Sequence, residues 1–139
     1  MNIPGRKALN MWRKALVEIV RRDEPDLTSR QMAVLLSVYL TPAPHTVRGL
    51  ARALKVSKPA ITRALDRLGD LDLVRRKTDD ADRRSVLVQR TVRGSVFLSE
   101  FGELVAQAGR DDLLQDEGEE ENSLSDSSSP KIAVNAMNG

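Results

Sequence analysis

The sequence predicts a mainly α-helical fold that contains one β-hairpin. In residues 46–71, TVRGLARALKVSKPAITRALDRLGDL, apolar residues recur at three- and four-residue steps on both sides of a short turn, as in a helix-turn-helix. Residues 73–91, LVRRKTDDADRRSVLVQRT, contain two β-rich runs around a charged loop, which predicts a hairpin. Together these segments predict a winged helix-turn-helix with a two- or three-stranded wing, residues 73–91, and flanking terminal helices.

Local signals set the boundaries inside the helix-turn-helix. The first helix spans about Val47–Leu54, and the turn Lys55–Ser57 follows it. Ser57 is a favourable N-cap for the second helix, and Pro59 falls in its first turn, where a missing N–H costs nothing. The apolar spacing places Ile61, Leu65 and Leu68 on the buried face of this helix.

Three further helices surround this unit. One covers residues 6–22, and another begins at Thr28 with a capping-box pattern to Gln31 and stops at the Pro-containing run 41–44. The last covers residues 92–108 and begins after Thr91. The apolar stripes of the two terminal helices are Leu9, Trp12, Leu16, Ile19 and Val20 in the first and Phe97, Leu98, Phe101, Leu104 and Val105 in the last.

We expect residues 1–110 to form one domain and residues 111–139 to form a disordered tail. The tail is acidic, rich in serine and poor in large apolar residues. Such a segment buries too little surface to offset the entropy lost on ordering.

Composition argues against several classes of protein. The chain has no cysteine and one histidine, His45, in a Pro-rich connection that we expect to be an exposed loop. It shows no nucleophile–histidine pair, no metal-ligand cluster and no glycine-rich phosphate loop, so we expect neither an enzyme nor a bound cofactor or metal. It shows no signal-peptide core and no membrane span, so a cytoplasmic protein with no membrane contact is expected.

The charge distribution is asymmetric. Residues 1–110 hold 21 Lys and Arg against 12 Asp and Glu, whereas residues 111–139 hold one Lys against eight acidic residues. Residues 46–93 alone carry 13 basic and six acidic side chains. Positive charge concentrated on a helix-turn-helix and hairpin is suited to neutralising DNA phosphates and releasing their counterions.

The order of elements and several motifs resemble the MarR family of winged-helix transcriptional regulators. The resemblance covers roughly Leu27–Gly94. Two positions depart from the family pattern: Asp72 stands where a glycine is usual, which aspartate tolerates because it adopts a left-handed backbone at small cost, and Arg90 stands where a leucine is usual. The matching motifs are Thr28 and Gln31, Leu50-Ala51, Ser57, Ile61-Thr62-Arg63, Leu65-Asp66-Arg67-Leu68, Leu73-Val74-Arg75-Arg76, Asp82-Arg83-Arg84, and Thr91 with Gly94.

In a protein of this kind the second helix of the helix-turn-helix enters the major groove. Pro59 and Ala60 are candidates to meet thymine methyl groups, and Thr62 and Arg63 to contact bases or phosphates. Arg67 either reaches the backbone or pairs with Asp66 or Asp70. The resemblance places Arg84 in the minor groove, with Asp82 orienting an arginine at the wing tip. The full set of candidate DNA-binding residues is Ser57, Lys58, Pro59, Ala60, Thr62, Arg63, Arg67, Arg76, Lys77, Asp82, Arg83 and Arg84.

Several alternatives stay open from the sequence. Arg48, Arg52 and Lys55 either contact flanking phosphates or only solubilise their helix. The terminal helices either form a homodimer or pack on each other within a monomer. A small-molecule effector beside Trp12 and Tyr39 competes with ordinary core packing.

The protein's class and the role of its tail also have alternatives. The competing function is a winged helix that binds an acidic protein partner instead of double-stranded DNA. The acidic tail is either an inert solubiliser or a competitor of DNA for the basic face.

Overall fold

The computed structural model describes residues 2–127, and the chain divides into two units. One unit is Glu24–Glu100, and the other is formed by Met1–Asp23 and Phe101–Gly139 from the two ends of the chain. The elements, in chain order, are α1 (Ile3–Arg21), α2 (Ser29–Leu40), β1 (His45–Thr46), α3 (Val47–Leu54), α4 (Lys58–Asp70), β2 (Val74–Thr78), β3 (Val86–Arg90) and α5 (Val92–Ser127).

The sheet of the central unit has three antiparallel strands in the order β1-β3-β2. Strands β2 and β3 form the hairpin, with Val74 opposite Arg90 and Thr78 opposite Val86. The two-residue strand β1 pairs with the other edge of β3, His45 lying opposite Val88. The prediction that His45 lies in an exposed loop is therefore wrong, because this residue is half-buried in a strand. The winged helix-turn-helix prediction is confirmed, with three strands.

The core of the central unit lies where α2, α3, α4 and the sheet meet. Helix α4 contributes the predicted face: Ile61, Leu65 and Leu68 are completely buried. Helix α2 supplies Val34, Leu35 and Val38, also completely buried, and the other members are Leu50, Ala51, Ala64, Leu73, Val74 and Val88. Burying one whole face of α4 fixes which of its residues point outward.

The predicted caps set the helix ends. The Thr28 hydroxyl accepts the Gln31 N–H at 3.1 Å, and the Gln31 side chain accepts the Thr28 N–H at 3.0 Å, which completes the capping box. At the start of α4, the Ser57 hydroxyl accepts the Ala60 N–H at 3.2 Å. Lys55 ends α3 in the left-handed conformation with φ of 56°, which turns the chain sharply into α4.

The base of the wing is fastened by Tyr39 of α2. Its hydroxyl donates to the Leu73 carbonyl at 2.7 Å, just before β2, and accepts the Thr91 N–H at 2.8 Å, just after β3. The Thr91 hydroxyl caps α5 by accepting the Gly94 N–H at 2.9 Å, as predicted, and donates to the Asp72 carbonyl at 2.7 Å. Asp72 itself has φ of 57°, which confirms the left-handed turn expected there.

The second unit joins α1 to the later part of α5. Trp12 contacts the Phe101 ring edge-on, with ring centroids 6.0 Å apart. Phe101 is buried, as are Ala15 and Ala108. Much of the predicted α1 stripe is nevertheless exposed: Leu9 by 54%, Trp12 by 40%, Leu16 by 40% and Val20 by 75%.

Both terminal helices are longer than the sequence predicted. Helix α1 begins at Ile3 instead of residue 6, because Asn2 caps it by accepting the Gly5 N–H at 3.0 Å. Helix α5 runs to Ser127 instead of ending near residue 108. The prediction of disorder is therefore wrong for residues 111–127, and the rest of that predicted tail, residues 128–139, lies outside the described residues.

Contacts explain why α5 continues. Gln107 donates to Asp111 at 2.9 Å along the helix, and Asp112 accepts from Asn10 at 3.4 Å and pairs with Lys14 at 3.5 Å. Glutamate and glutamine, frequent in this segment, are also good helix formers. Acidity and low hydropathy alone reflect neither these side-chain contacts nor the helix propensity of the segment.

The close approach of Gly94 to Tyr39 gives a stability prediction. A Cβ at position 94 would overlap the Tyr39 hydroxyl and the Leu73 carbonyl oxygen. We expect Gly94→Ala to lower the free energy of unfolding by about 1–3 kcal/mol, the usual cost of overpacking. Urea unfolding followed by circular dichroism measures this change.

Gly102, in the same helix, supplies the control. A Cβ there meets nothing within 4 Å, so Gly102→Ala should be neutral or stabilise by up to about 1 kcal/mol through helix propensity. Equal effects of the two substitutions would contradict the role given to the Tyr39 contact.

Candidate nucleic-acid interface

The outward face of α4 presents most of the residues predicted to read DNA. Lys58, Pro59, Thr62, Arg63 and Arg67 are all exposed, and they lie opposite the completely buried face of the helix. Their exposure follows from the 3.6-residue period, since the buried positions fix the opposite stripe. The helix is therefore held rigidly with a basic, polar surface outward.

Ala60 and Ser57, at the start of α4, have structural roles. Ala60 is only 5% exposed, so the prediction that it meets a thymine methyl group is wrong: its side chain belongs to the buried face. Ser57 is exposed, but its hydroxyl oxygen accepts the Ala60 N–H. Its own O–H remains able to donate.

The arginines of α4 are not neutralised by their helical neighbours. The sequence left open whether Arg63 and Arg67 pair with Asp66 and Asp70. Within residues 2–127 neither arginine forms an ion pair. Asp66 instead pairs with Arg76 of β2, the guanidinium Nη2 lying 2.8 Å from the carboxylate Oδ1.

That ion pair changes the role of Arg76. The sequence placed Arg76 among the DNA-binding residues, whereas the structure shows its guanidinium bridging β2 to the outward face of α4. Its side chain is 36% exposed, so it can reach a phosphate in two ways: with the Asp66 ion pair intact, or after that ion pair breaks. No local sequence signal could have found the pair, because ten residues and a turn separate its members.

The tip of the wing is organised by two aspartates. The Asp79 carboxylate accepts the Ala81 N–H at 3.0 Å, and the Asp82 carboxylate accepts the Arg84 N–H at 3.1 Å. These are the Asx turns that aspartate favours in tight loops. Backbone bonds from Asp79 N–H to the Ser85 carbonyl and from Ser85 N–H to the Asp82 carbonyl, at 3.0 and 2.8 Å, close the loop.

Arg84 projects from this tip. Its side chain is 91% exposed, and its Nε lies 3.7 Å from the Asp82 carboxylate. Asp82 thus contacts both the backbone and the side chain of Arg84. Arg83 and Lys77 are also exposed, so basic side chains lie on the tip and on strand β2, interspersed with the exposed Asp80 and Asp82.

Helix α3 adds further basic residues. Arg48, Arg52 and Lys55 are exposed, and none of them pairs with an acidic residue in the described part of the chain. They are consequently available to phosphates on the flank of α4, although solubility alone would also account for them.

Arg90, which stands where a leucine is usual in the family, has a structural role. Its Nε donates to the Val38 carbonyl at 2.9 Å, and its Nη2 donates to the Thr41 carbonyl at 3.2 Å. It thereby satisfies carbonyls at the C-terminus of α2, where a positive charge is also favoured by the helix dipole. Its guanidinium lies 5.8 Å from the centre of the Tyr39 ring, a cation–π distance.

Two further observations concern residues 2–127. No group of three potential metal-ligating side chains lies together there, and no helix is long and apolar enough to cross a bilayer. The Tyr39 hydroxyl, a candidate for contact with an effector, is used inside its own unit by Leu73 and Thr91.

Comparison with known proteins shows which family this arrangement resembles. A model of the MarR family matches residues 26–85, which include α2, the helix-turn-helix and most of the wing. Residues 26–85 therefore resemble the MarR family. The match ends within the wing, so the terminal helices α1 and α5 are compared through solved structures alone.

Three solved structures illustrate the likeness. S. aureus MepR in complex with DNA is 21% identical, with a TM-score of 0.63 over 81% of this chain and 90% of that one. The transcriptional regulator BldR from Sulfolobus solfataricus is 28% identical, with a TM-score of 0.52 over 81% of this chain and 71% of that one. A MarR transcriptional regulator from Methanosarcina mazei Go1 is 24% identical, with a TM-score of 0.57 over 94% and 96% of the two chains.

Proposed function

We propose that this protein is a transcriptional regulator that binds double-stranded DNA sequence-specifically, with α4 in the major groove and the wing arginine Arg84 in the minor groove. The observation that carries the proposal is a helix whose outward Arg63 and Arg67 have no acidic partner among the described residues, in the same unit as a hairpin whose tip arginine is 91% exposed. The MepR–DNA complex, which shares the fold, supports it.

Chemistry assigns different tasks to the residues of α4. Arg63 can donate two parallel hydrogen bonds to guanine O6 and N7, and Thr62 can contact a base edge or a thymine methyl group. Pro59 offers an apolar surface to a methyl group. Lys58, Arg67 and the Ser57 O–H are suited to phosphates, which position the protein without specifying sequence.

The wing has a different target. A narrow minor groove has an enhanced negative potential and attracts arginine. The Nε of Arg84 lies 3.7 Å from the Asp82 carboxylate, and its side chain is exposed and accessible to the groove. Arg83 and Lys77 then add attraction to the phosphates on both sides of the groove.

We also propose that the protein is a homodimer that binds a pseudo-palindromic site. The exposed apolar stripe of α1, Leu9, Trp12, Leu16 and Val20, supports this, because a stripe of that size is unusual on a solvated helix. A second copy of the same stripe is a self-complementary partner, as two-fold symmetry requires.

Selection of bound duplexes from a random DNA library tests the function. A regulator of this kind should enrich a two-fold symmetric motif, and its binding should weaken steeply with salt as counterions are released. Enrichment of no motif, together with salt-sensitive capture of acidic proteins, would favour the alternative function, a winged helix that binds an acidic partner.

Loss of the wing arginine should weaken binding to the selected duplex. We expect Arg84→Ala to raise its Kd by an amount equivalent to about 1–3 kcal/mol, the scale of a specific contact. Arg110→Ala removes the same charge from α5 outside the winged-helix unit and should change the Kd little. A gel-shift titration at fixed salt compares the two, and equal effects would contradict the minor-groove assignment.

A charge on the α1 stripe should break the dimer. Leu16→Glu places a carboxylate at the centre of the stripe, so sedimentation equilibrium at micromolar concentration should show the monomer mass. Leu40→Glu, at a leucine that is 74% exposed in the other unit, is the matched control and should leave the dimer intact. A wild-type protein that sediments as a monomer would overturn this assignment.

The acidic end of α5 offers a test of electrostatic competition. If this end competes with DNA for the basic face, replacing Glu119, Glu120 and Glu121 by Gln should tighten DNA binding at about 50 mM salt and have less effect at about 200 mM. Substituting Glu100 and Glu103 by Gln, on the same helix, is the control. Unchanged affinity of the triple variant at low salt would show that this end is inert toward DNA.

A further inference from the structure

Asp66, which pairs with Arg76, also stands near Arg63 on the same helix. Asp66 follows Arg63 by three positions on α4, and residues at that spacing are neighbours on a helix surface. Both side chains are exposed, so an arginine–carboxylate pair between them would form readily. Asp66 instead holds Arg76 at 2.8 Å, and Arg63 has no acidic partner among the described residues.

We propose that Arg76 is a positioning residue for DNA recognition: by engaging the Asp66 carboxylate from the wing, it keeps Arg63 free to read a base. This inference rests on the proposed function and names a specificity determinant of the same site. Arg76 acts through Asp66, so it need not touch a base itself.

The chemistry of arginine supports giving Arg63 the contact with a base and Arg76 the contact with Asp66. An arginine bound to a carboxylate has part of its donor fork occupied and its side chain held toward the carboxylate, so fewer N–H groups are free to turn toward guanine O6 and N7. Arg76 lies on a strand of the sheet whose neighbours fix its backbone, with Val88 opposite it in the register. Because Arg76 already holds Asp66, Arg63 would have to displace it and lose side-chain freedom of its own in order to pair with this carboxylate.

A double-mutant cycle distinguishes this positioning role from a direct contact between Arg76 and a DNA phosphate. The measured quantity is the ratio of the Kd for a scrambled duplex to the Kd for the selected duplex. The variants are Arg76→Gln, Asp66→Asn and the double variant, with Arg75→Gln as control. Arg75 neighbours Arg76 on the same strand, is exposed and carries the same charge, but forms no ion pair in the described structure.

We expect Arg76→Gln to lower the selectivity ratio by about fivefold or more, the lower end of the discrimination that an arginine–guanine contact provides. The double variant should recover the ratio of Asp66→Asn within about twofold, because no carboxylate is left to capture Arg63. Arg75→Gln should weaken binding to both duplexes equally, as loss of a phosphate contact does. An unchanged ratio in Arg76→Gln, or no recovery in the double variant, would overturn the proposal.

A measurement without DNA keeps this test independent of the proposed function. In the free protein, the Nε–Hε resonance of Arg63 should shift in Arg76→Gln and return in the double variant. A resonance that does not move would overturn the inference even if the wild-type protein is selective. A wild-type protein with no selectivity would instead defeat the proposed function, while the resonance would still decide whether Arg76 keeps Arg63 free.

Discussion

The hydroxyl of Tyr39 fastens both ends of the wing to the helical core. It donates to the Leu73 carbonyl before β2 and accepts the Thr91 N–H after β3, and Gly94 leaves room for it at the start of α5. The wing is a hairpin with little core of its own, since its strands expose most of their side chains. This attachment acts together with the buried Val74 and Val88 and with the Arg76–Asp66 ion pair, which also connect the hairpin to the helices.

From that base outward, charged side chains control the surface that DNA would meet. Arg90 satisfies the C-terminus of α2 beside Tyr39, Arg76 holds Asp66 on α4, and Asp82 contacts Arg84 at the tip. Each of these cations or anions is engaged with the protein itself. Arg63 and Arg67 remain without such a partner in the described structure, which is why we give them the contacts with DNA.

Much of this organisation was predictable from local sequence. Ser57, Thr28 and Thr91 act as caps because a side-chain oxygen beside free backbone N–H groups is a short-range effect, and Asp72 adopts the left-handed turn for equally local reasons. Contacts distant in sequence were not predictable: the Asp66–Arg76 pair, the use of Arg90 by α2, and the pairing of His45 with Val88. The contacts of Asp112 in α5 with Lys14 and Asn10 are likewise distant in sequence, because 102 positions separate Asp112 from Asn10.

If α4 reads the major groove and the wing reads the minor groove, chemical interference on a selected duplex should detect both contacts. Dimethyl sulfate methylates guanine N7 in the major groove and adenine N3 in the minor groove, so one reaction probes both. We predict that N7 methylation blocks binding at the centre of each half-site, and that N3 methylation blocks it in the flanks for the wild-type protein but not for Arg84→Ala. Tight binding that no N3 methylation disturbs would contradict the account.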